Sequence, residues 1–319
     1  MSDAANVADP AFRNDVIRGL QQAQPSIPAR WLYDHRGSEL FDAITKLDEY
    51  YPTRTETAIM RDNAGAIAAA AGTGGALIEF GAGSATKTPL MIDALEPDHY
   101  VPIDISGDYL RASVAKLAED YPDLAVDPVE ADFTRSFDLP DEIRGLHRVG
   151  FFPGSTIGNF VPRSAADLLR TFRDILHDGS SLLIGMDRLK DLDRLRAAYD
   201  DTEGVTAQFN LNLLHRINCE LDADIPVDLF RHDARWNEML GRIEMHLVAT
   251  TFMSFAIDGT RFTFDEGDSI HTENSHKYGK RAARTLLLAG GWTPVAEWTD
   301  DADDFAFILA EAQPNRFAP

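Results

Sequence analysis

Between residues 76 and 186 short apolar runs alternate regularly with helix-period segments, and this constrains the chain more than any other feature. Residues 76–80 (AlaLeuIleGluPhe) form an apolar run ending at glycines, as a strand buried on both faces does. Residues 87–95 read as a helix, 100–104 as a strand, 107–119 as a helix, and 125–129 and 148–153 as further strands. Leu168, Leu169, Phe172 and Leu176 fall at helical spacing within 162–176, and 180–186 is a fifth strand. Strict alternation of this kind builds a doubly wound α/β sheet.

After about residue 190 the pattern changes. Residues 205–221 read as a helix, and 242–257 and 261–265 alternate like paired strands joined by a turn at Asp258-Gly259. Residues 277–289 look helical again, and 292–298 and 304–311 strand-like. The simplest arrangement is a sheet domain, 54–190 and 279–319, interrupted by an insertion. The N-terminal segment finds no place in that sheet and is expected to join the insertion, giving a second domain of 1–53 and 191–278. A ligand cleft between two lobes is the expected consequence.

The 319 residues carry 30 basic and 52 acidic side chains, a net charge of −22. A chain that negative repels phosphate backbones, so a nucleic-acid partner is not expected. The single cysteine, Cys219, excludes an internal disulfide framework and a multi-cysteine zinc site. It lies in a helical run with Leu213, Leu214 and Ile217, and packing is its expected role. The first residues show no apolar signal region, and the most apolar stretch, 64–78, is broken by Gly72, Gly74 and Gly75, so neither export nor a membrane span is expected. The chain is placed in the cytoplasm. The nine histidines show no H-x-x-x-H or H-E-x-x-H pair, so no metal site is expected. Gly154-Ser155-Thr156-Ile157-Gly158 is no nucleophile elbow, because its serine falls one place early.

The strongest local motif runs from Glu79 to Thr88 and contains Gly81-Ala82-Gly83. It follows a predicted strand and opens a helix, where glycines let backbone approach a ligand. A dinucleotide fingerprint needs glycine where Thr86 stands, and a P-loop beginning at Gly81 fails at the same residue. A loop for S-adenosylmethionine (SAM) fits Glu79, Gly81 and Gly83. Asp104 ends the next strand, where an acid can hold both ribose hydroxyls, and Asp132-Phe133 follows the third strand, where an acid and an aromatic can hold adenine. A carboxylate at position 104 suits NAD as well. Asp132-Phe133 tilts the balance to SAM, with NAD and a structural glycine turn left as alternatives.

A second set of strings carries a family resemblance. They are Tyr33-Asp34, Gly37-Ser38-Glu39-Leu40-Phe41-Asp42, Glu49-Tyr50-Tyr51-Pro52-Thr53-Arg54-Thr55-Glu56, Gly154-Ser155-Thr156-Ile157-Gly158-Asn159, Ala198-Tyr199-Asp200-Asp201, Arg242-Ile243-Glu244-Met245 and Thr272-Glu273-Asn274-Ser275-His276-Lys277-Tyr278. Over nearly its whole length the chain resembles the histidine-specific SAM-dependent methyltransferases, the L-histidine Nα-methyltransferases of ergothioneine biosynthesis. The resemblance implies a Rossmann-like class I SAM methyltransferase sheet with an inserted α+β substrate domain. It implies that Gly81, Lys87, Asp104, Asp132 and Phe133 serve SAM, the methyl donor. Tyr33, Asn159 and Tyr199 would hold the substrate's carboxylate and amine, with Tyr50 against the amine. Met245, Glu273 and Ser275 would line the imidazole pocket. Tyr50 and Asn159 are the expected catalytic pair. Ala85 departs from the general loop pattern, standing where a third glycine often falls.

Elementary chemistry is compatible with these roles. Glu273 and Ser275 are two residues apart, so in an extended segment both face one side. A carboxylate there can accept one ring N–H while a hydroxyl serves the other nitrogen. Tyrosine hydroxyls meet a carboxylate without adding buried charge; in a strand only one of Tyr50 and Tyr51 would face the pocket, and the resemblance selects Tyr50. Asn159 can donate to a carboxylate and accept from an amine. The amine must be neutral to attack, and its proton leaves to water or toward Tyr50; both routes stay open. Expected partners are L-histidine and its mono- and dimethyl forms, with no nucleic acid, no membrane and a monomeric chain. The alternatives are the same fold acting on another amino acid or small amine, a SAM-binding protein without turnover, and an NAD oxidoreductase.

Overall fold

The computed structural model describes residues 9–314 other than Ser84, Thr86 and Ser106. The extreme N-terminus read for targeting signals, and Ser84 and Thr86 of the glycine loop, lie outside the described residues. The chain divides into two compact units, one of Pro52–Lys190 with His276–Pro319, the other of Met1–Tyr51 with Asp191–Ser275.

The strands, in chain order, are Ala76–Phe80 (β1), His99–Asp104 (β2), Ala125–Val126 (β3), Val129–Glu130 (β4), Arg148–Phe152 (β5), Ser181–Asp187 (β6), Phe230–Asn237 (β7), Arg242–Ala249 (β8), Met253–Ile257 (β9), Thr260–Phe264 (β10), Ser269–His276 (β11), Trp292–Thr299 (β12) and Phe305–Ala312 (β13). In the first unit the sheet order is β12-β13-β6-β5-β1-β2-β3, with β4 also on β2. β1 pairs in parallel with both β2 and β5, and β6 with β5, whereas β13 runs antiparallel to β6 and β12. Order reverses at β1 and β5, which places the ligand crevice of such a sheet at their carboxyl ends.

Both faces of this sheet are covered, and the sequence alternation explains how. Ile78, Phe80, Phe152 and Ile184 pack with Leu169 and Phe172 of the helix Pro162–Leu176. Their strand neighbours Leu77, Phe151 and Leu183 pack on the opposite face with Ile59, Met60 and Met91. Phe80 stacks on Phe172 at 3.8 Å. The expected single strand 125–129 is two short ones, because Pro128 lacks a ladder N–H and Asp127 alone bridges back to Tyr100.

The second unit holds the sheet β11-β8-β7 and the hairpin β9-β10. The hairpin turns at Asp258-Gly259, both with positive φ (45° and 73°), as a tight two-residue turn demands. The stretch 242–257 breaks at Thr250–Phe252, so it forms β8 and β9 rather than one strand. β7 escaped the sequence reading because only Phe230 of its eight residues is fully buried. Helix Val205–Glu220 buries Phe209, Leu213, Leu214 and Ile217 in a core with Phe12, Trp31, Leu247 and Phe255. Cys219 does not join them. It is exposed, since two positions past Ile217 a helix has rotated about 200° away from the buried stripe. The expected helix 277–289 begins only at Lys280, because 269–276 is β11. Among the described residues no helix is long and apolar enough to cross a membrane.

Candidate active site

At the carboxyl end of β1 the chain turns at Gly81, with φ +76°, and the amides of Gly81 and Ala82 both donate to the Ile103 carbonyl (2.8 and 3.0 Å). A side chain at Gly81 would meet the Phe133 ring, whose Cε1 lies 3.3 Å from a Cβ built there. The turn and the aromatic after β4 are therefore in contact. Gly83 donates its amide to Asp104 Oδ2 at 3.0 Å, so the acid ending β2 also holds the loop. Asp132 Oδ1 accepts from the Thr134 amide at 3.0 Å, which fixes the turn carrying Phe133. Ala85 adopts φ +51°, the left-handed backbone for which glycine is favoured. Glu79 engages the far end of this loop rather than its glycines. It is buried and accepts from Thr88 Oγ1 and Tyr100 Oη, both at 2.7 Å. Burial outweighs those hydrogen bonds and pushes its carboxyl up to about 7.

Lys87 immediately precedes the helix Thr88–Leu95, and its ammonium pairs with Glu56. Glu56 was legible only as part of a motif string. It is fully buried, and its two oxygens accept the Gly154 amide at 3.0 and 2.8 Å. Asn159 closes the 3₁₀ turn Thr156–Asn159 that follows β5. The Gly-Ser-Thr-Ile-Gly-Asn string has backbone and packing reasons. Gly154 takes φ +80°, Ser155 Oγ accepts the Asp187 amide at 2.9 Å, and a Cβ at Gly158 would stand 3.0 Å from the His276 carbonyl.

In the other unit, Tyr50, Tyr199, Met245 and Glu273 line one cavity with Phe41, Ile44, Ala198, Thr206 and Phe209. Tyr50 is not in a strand; it directly precedes the helix Tyr51–Asp62, whose start suits Pro52. Its ring meets Tyr199 edge-on at 6.1 Å, whereas Tyr51 lies under the Arg194 guanidinium at 4.5 Å. Glu273 and Ser275 are both buried on β11. Tyr33, read as a head-group residue, sends its hydroxyl toward Glu273 Oε1 at 3.4 Å. Burial first, then the Glu273 carboxylate, hold the Tyr33 hydroxyl well above the usual range, so it stays a donor. Ser275 Oγ is bonded to Tyr199 Oη at 2.6 Å.

Several supporting residues were assigned no role by the sequence. Asp34 caps its helix by accepting the Gly37 amide at 2.7 Å and also takes Asn212 Nδ2 at 2.8 Å, fixing Tyr33 next door. Gly37 is glycine because a Cβ would lie 1.8 Å from the Leu32 carbonyl. Asp201 accepts the amides of Val205 and Thr206 at 2.9 and 2.7 Å. His232 Nε2 donates to the Tyr199 carbonyl at 2.8 Å and its Nδ1 accepts from Asn210, whose Oδ1 accepts from Thr272 at 2.7 Å. Burial lowers the His232 pKa, which keeps this neutral tautomer. Thr206, with a buried hydroxyl, also lines the cavity. Asp34, Gly37, Asp201 and Thr272 stand in the motif strings, whereas Asn210, Asn212 and His232 lie outside them and carried no signal.

The structure also gathers Glu244, His246 and His271, whose ligand-type atoms lie within 4.8 Å of one another. Cross-strand proximity on β8 and β11 makes this grouping, which no short sequence spacing announces. Arg242 pairs with Glu244 at 2.6 Å, and Asn237 donates to it at 2.9 Å. Desolvation and the neighbouring His271 lower His246 to about 4.

A doubly wound sheet with antiparallel β13 between β6 and β12, a glycine turn after β1 and an acid closing β2 define a methyltransferase that uses SAM. The chain belongs to the family of histidine-specific, SAM-dependent methyltransferases, whose profile matches residues 12–312. It is 42% identical over 306 residues to the histidine N-alpha-methyltransferase of Mycobacterium tuberculosis, covering 94% of each chain. To the histidine N-alpha-methyltransferase of Mycolicibacterium smegmatis it is 41% identical over 313 residues, covering 96% of this chain and 97% of that one. Ergothioneine biosynthesis protein 1 of Neurospora crassa is 29% identical over 301 residues, 90% of this chain and 33% of the relative.

Proposed function

We propose that this protein transfers methyl groups from SAM to the α-amine of L-histidine, three in turn, giving the trimethylbetaine hercynine for ergothioneine biosynthesis. The observation that carries the substrate reading is the pair Glu273 and Ser275 on β11, each engaged by a tyrosine hydroxyl, with Glu273 and Tyr199 lining one cavity together with Tyr50 and Met245. Full-length relatives named for histidine Nα-methylation support it. A carboxylate and a hydroxyl on one strand face can read the two imidazole nitrogens, and a site built that way rejects apolar rings.

SAM supplies the electrophilic methyl carbon. Gly81 lets backbone approach it, Asp104 holds the ribose, Asp132 and Phe133 hold the adenine, and Lys87 meets its amino-acid tail. Tyr33, Tyr199 and Asn159 orient the histidine head group and Tyr50 lies against the amine. Displacement at the methyl carbon is an in-line reaction, so positioning is the main service of these residues. Tyr33 remains protonated, so it serves as a hydrogen-bond donor. A net charge of −22 suits small-molecule partners over nucleic acid, and we read the protein as a monomer of the cytoplasm. Incubation with SAM and each amino acid separately tests the proposal. Mass spectrometry should find histidine carrying one, two and three added methyl groups, and methylation of a different amino acid in preference would replace the substrate.

A further inference from the structure

The Glu56 carboxylate is fully buried, yet it belongs to no pocket described above. Three features of the fold are arranged around it. The Gly154 amide, in the loop after β5, donates to both its oxygens at 3.0 and 2.8 Å. The Lys87 ammonium, in the loop after β1, pairs with it. Gly185 on β6 leaves the room it needs, since a Cβ there would stand 1.9 Å from Glu56 Oε1. Those loops leave the two strands where the sheet order reverses, the place where such sheets bind ligands.

A buried ion pair is weak support for stability, because desolvating both charges offsets their attraction. The Lys87 side chain keeps 15% of its surface exposed while Glu56 keeps none. The Lys87 side chain is thus not wholly enclosed, while the carboxylate that pairs with it is, and is held by Lys87 and the Gly154 amide alike. SAM carries a sulfonium, an ammonium and one carboxylate, so the one full negative charge it offers a lysine ammonium at this edge is the carboxylate of the amino-acid tail.

We propose that Glu56 is a positioning residue that aims the Lys87 ammonium at the carboxylate of the cofactor's amino-acid tail and locks the loop after β5 in the same register. This rests on the SAM reading above. Glu56 touches no substrate; it acts through Lys87 and Gly154. The carboxylate also fixes the ammonium before the cofactor arrives, so less side-chain freedom is lost on binding.

The test uses two probes, S-adenosylhomocysteine and 5′-methylthioadenosine, which share the nucleoside but differ in the amino-acid tail. Calorimetry on Glu56→Gln should show S-adenosylhomocysteine binding weakened about tenfold or more, the scale of one charge-assisted hydrogen bond, with methylthioadenosine affinity held. The double variant Glu56→Gln/Lys87→Met removes both charges and should regain the melting temperature of the wild type while S-adenosylhomocysteine stays weak. Should Glu56→Gln fail to fold, Glu56→Asp, which keeps the charge but withdraws it by one methylene, is the test, with the same selective loss of S-adenosylhomocysteine expected. Unchanged S-adenosylhomocysteine affinity in folded Glu56→Gln, equal loss of both probes, or recovery of S-adenosylhomocysteine binding in the double variant would each overturn the proposal. Failure of the wild type to bind S-adenosylhomocysteine would instead overturn the SAM reading beneath it.

Discussion

The hydroxyls of Tyr199 and Ser275 lie 2.6 Å apart, both on buried side chains. The resemblance gave these residues separate duties, one at the substrate's head group and one at its ring. The bond joins them directly, so on the proposed roles the two ends of the site are coupled. Tyr199→Phe and Ser275→Ala should therefore be non-additive in kcat/KM for histidine, with a coupling of about 0.5–3 kcal/mol. Strict additivity in the double-mutant cycle would mean that the bond has no part in turnover.

Glu273 should set substrate choice. Glu273→Ala removes a buried acceptor that already engages Tyr33. It should lower kcat/KM for histidine by about tenfold to a few hundredfold, the scale of about 1.5–3 kcal/mol for a charge-assisted bond. Tryptophan and phenylalanine should suffer less or gain, because the change lifts a desolvation cost and opens volume. An equal fall for all three amino acids would assign Glu273 to the fold.

One Asp104 oxygen already accepts the Gly83 amide, so on the proposed role the acid would serve both loop and ribose. Asp104→Ala should weaken S-adenosylhomocysteine by about 1.5–3 kcal/mol in calorimetry. Asp104→Asn, which keeps an acceptor for Gly83, should fall between it and the wild type. Identical behaviour of the two variants would show that loop support contributes nothing to cofactor affinity.

Asn159 stands at the end of its own turn, away from the Gly81 loop in sequence and held by separate backbone bonds. Asn159→Ala should abolish methylation while S-adenosylhomocysteine binding stays near the wild-type value. Parallel loss of cofactor affinity would assign it to the edge of the sheet.

Glu79 predicts a pH effect on stability. Burial raises its carboxyl from the ordinary 4.5 to about 7, against hydrogen bonds from Thr88 and Tyr100. The folded state then keeps a proton that the unfolded state releases, so this group costs stability as pH rises from about 4.5 to about 7, by about 3 kcal/mol. Glu79→Gln keeps an acceptor and does not titrate. Its melting temperature should gain on the wild type between about pH 5 and pH 8. A difference independent of pH would show that Glu79 does not ionise in that window.

Glycines, alternating apolar runs and turn residues act locally, which is why the sheet unit was legible. Ile78 and Leu77 face opposite sides of β1 because strand geometry alternates, and that pattern is written in the sequence. The Asp258-Gly259 turn was legible for the same reason. β7 was not, because a strand with little burial carries little hydrophobic periodicity. Cys219 was misplaced because adjacency to buried leucines says nothing about which side of the helix it occupies.

By itself, then, the sequence determined the α/β class, the glycine turn at Gly81, the acid at Asp104 and the residue strings that mark the family. Only the tertiary structure decided the partnerships: Tyr33 with Glu273, Tyr199 with Ser275, and Glu56 with Lys87 and Gly154. The division has a physical cause. Backbone conformation and periodic burial depend on near neighbours, whereas a hydrogen bond between residues 240 positions apart, as in Tyr33 and Glu273, exists only once the core has brought their elements together.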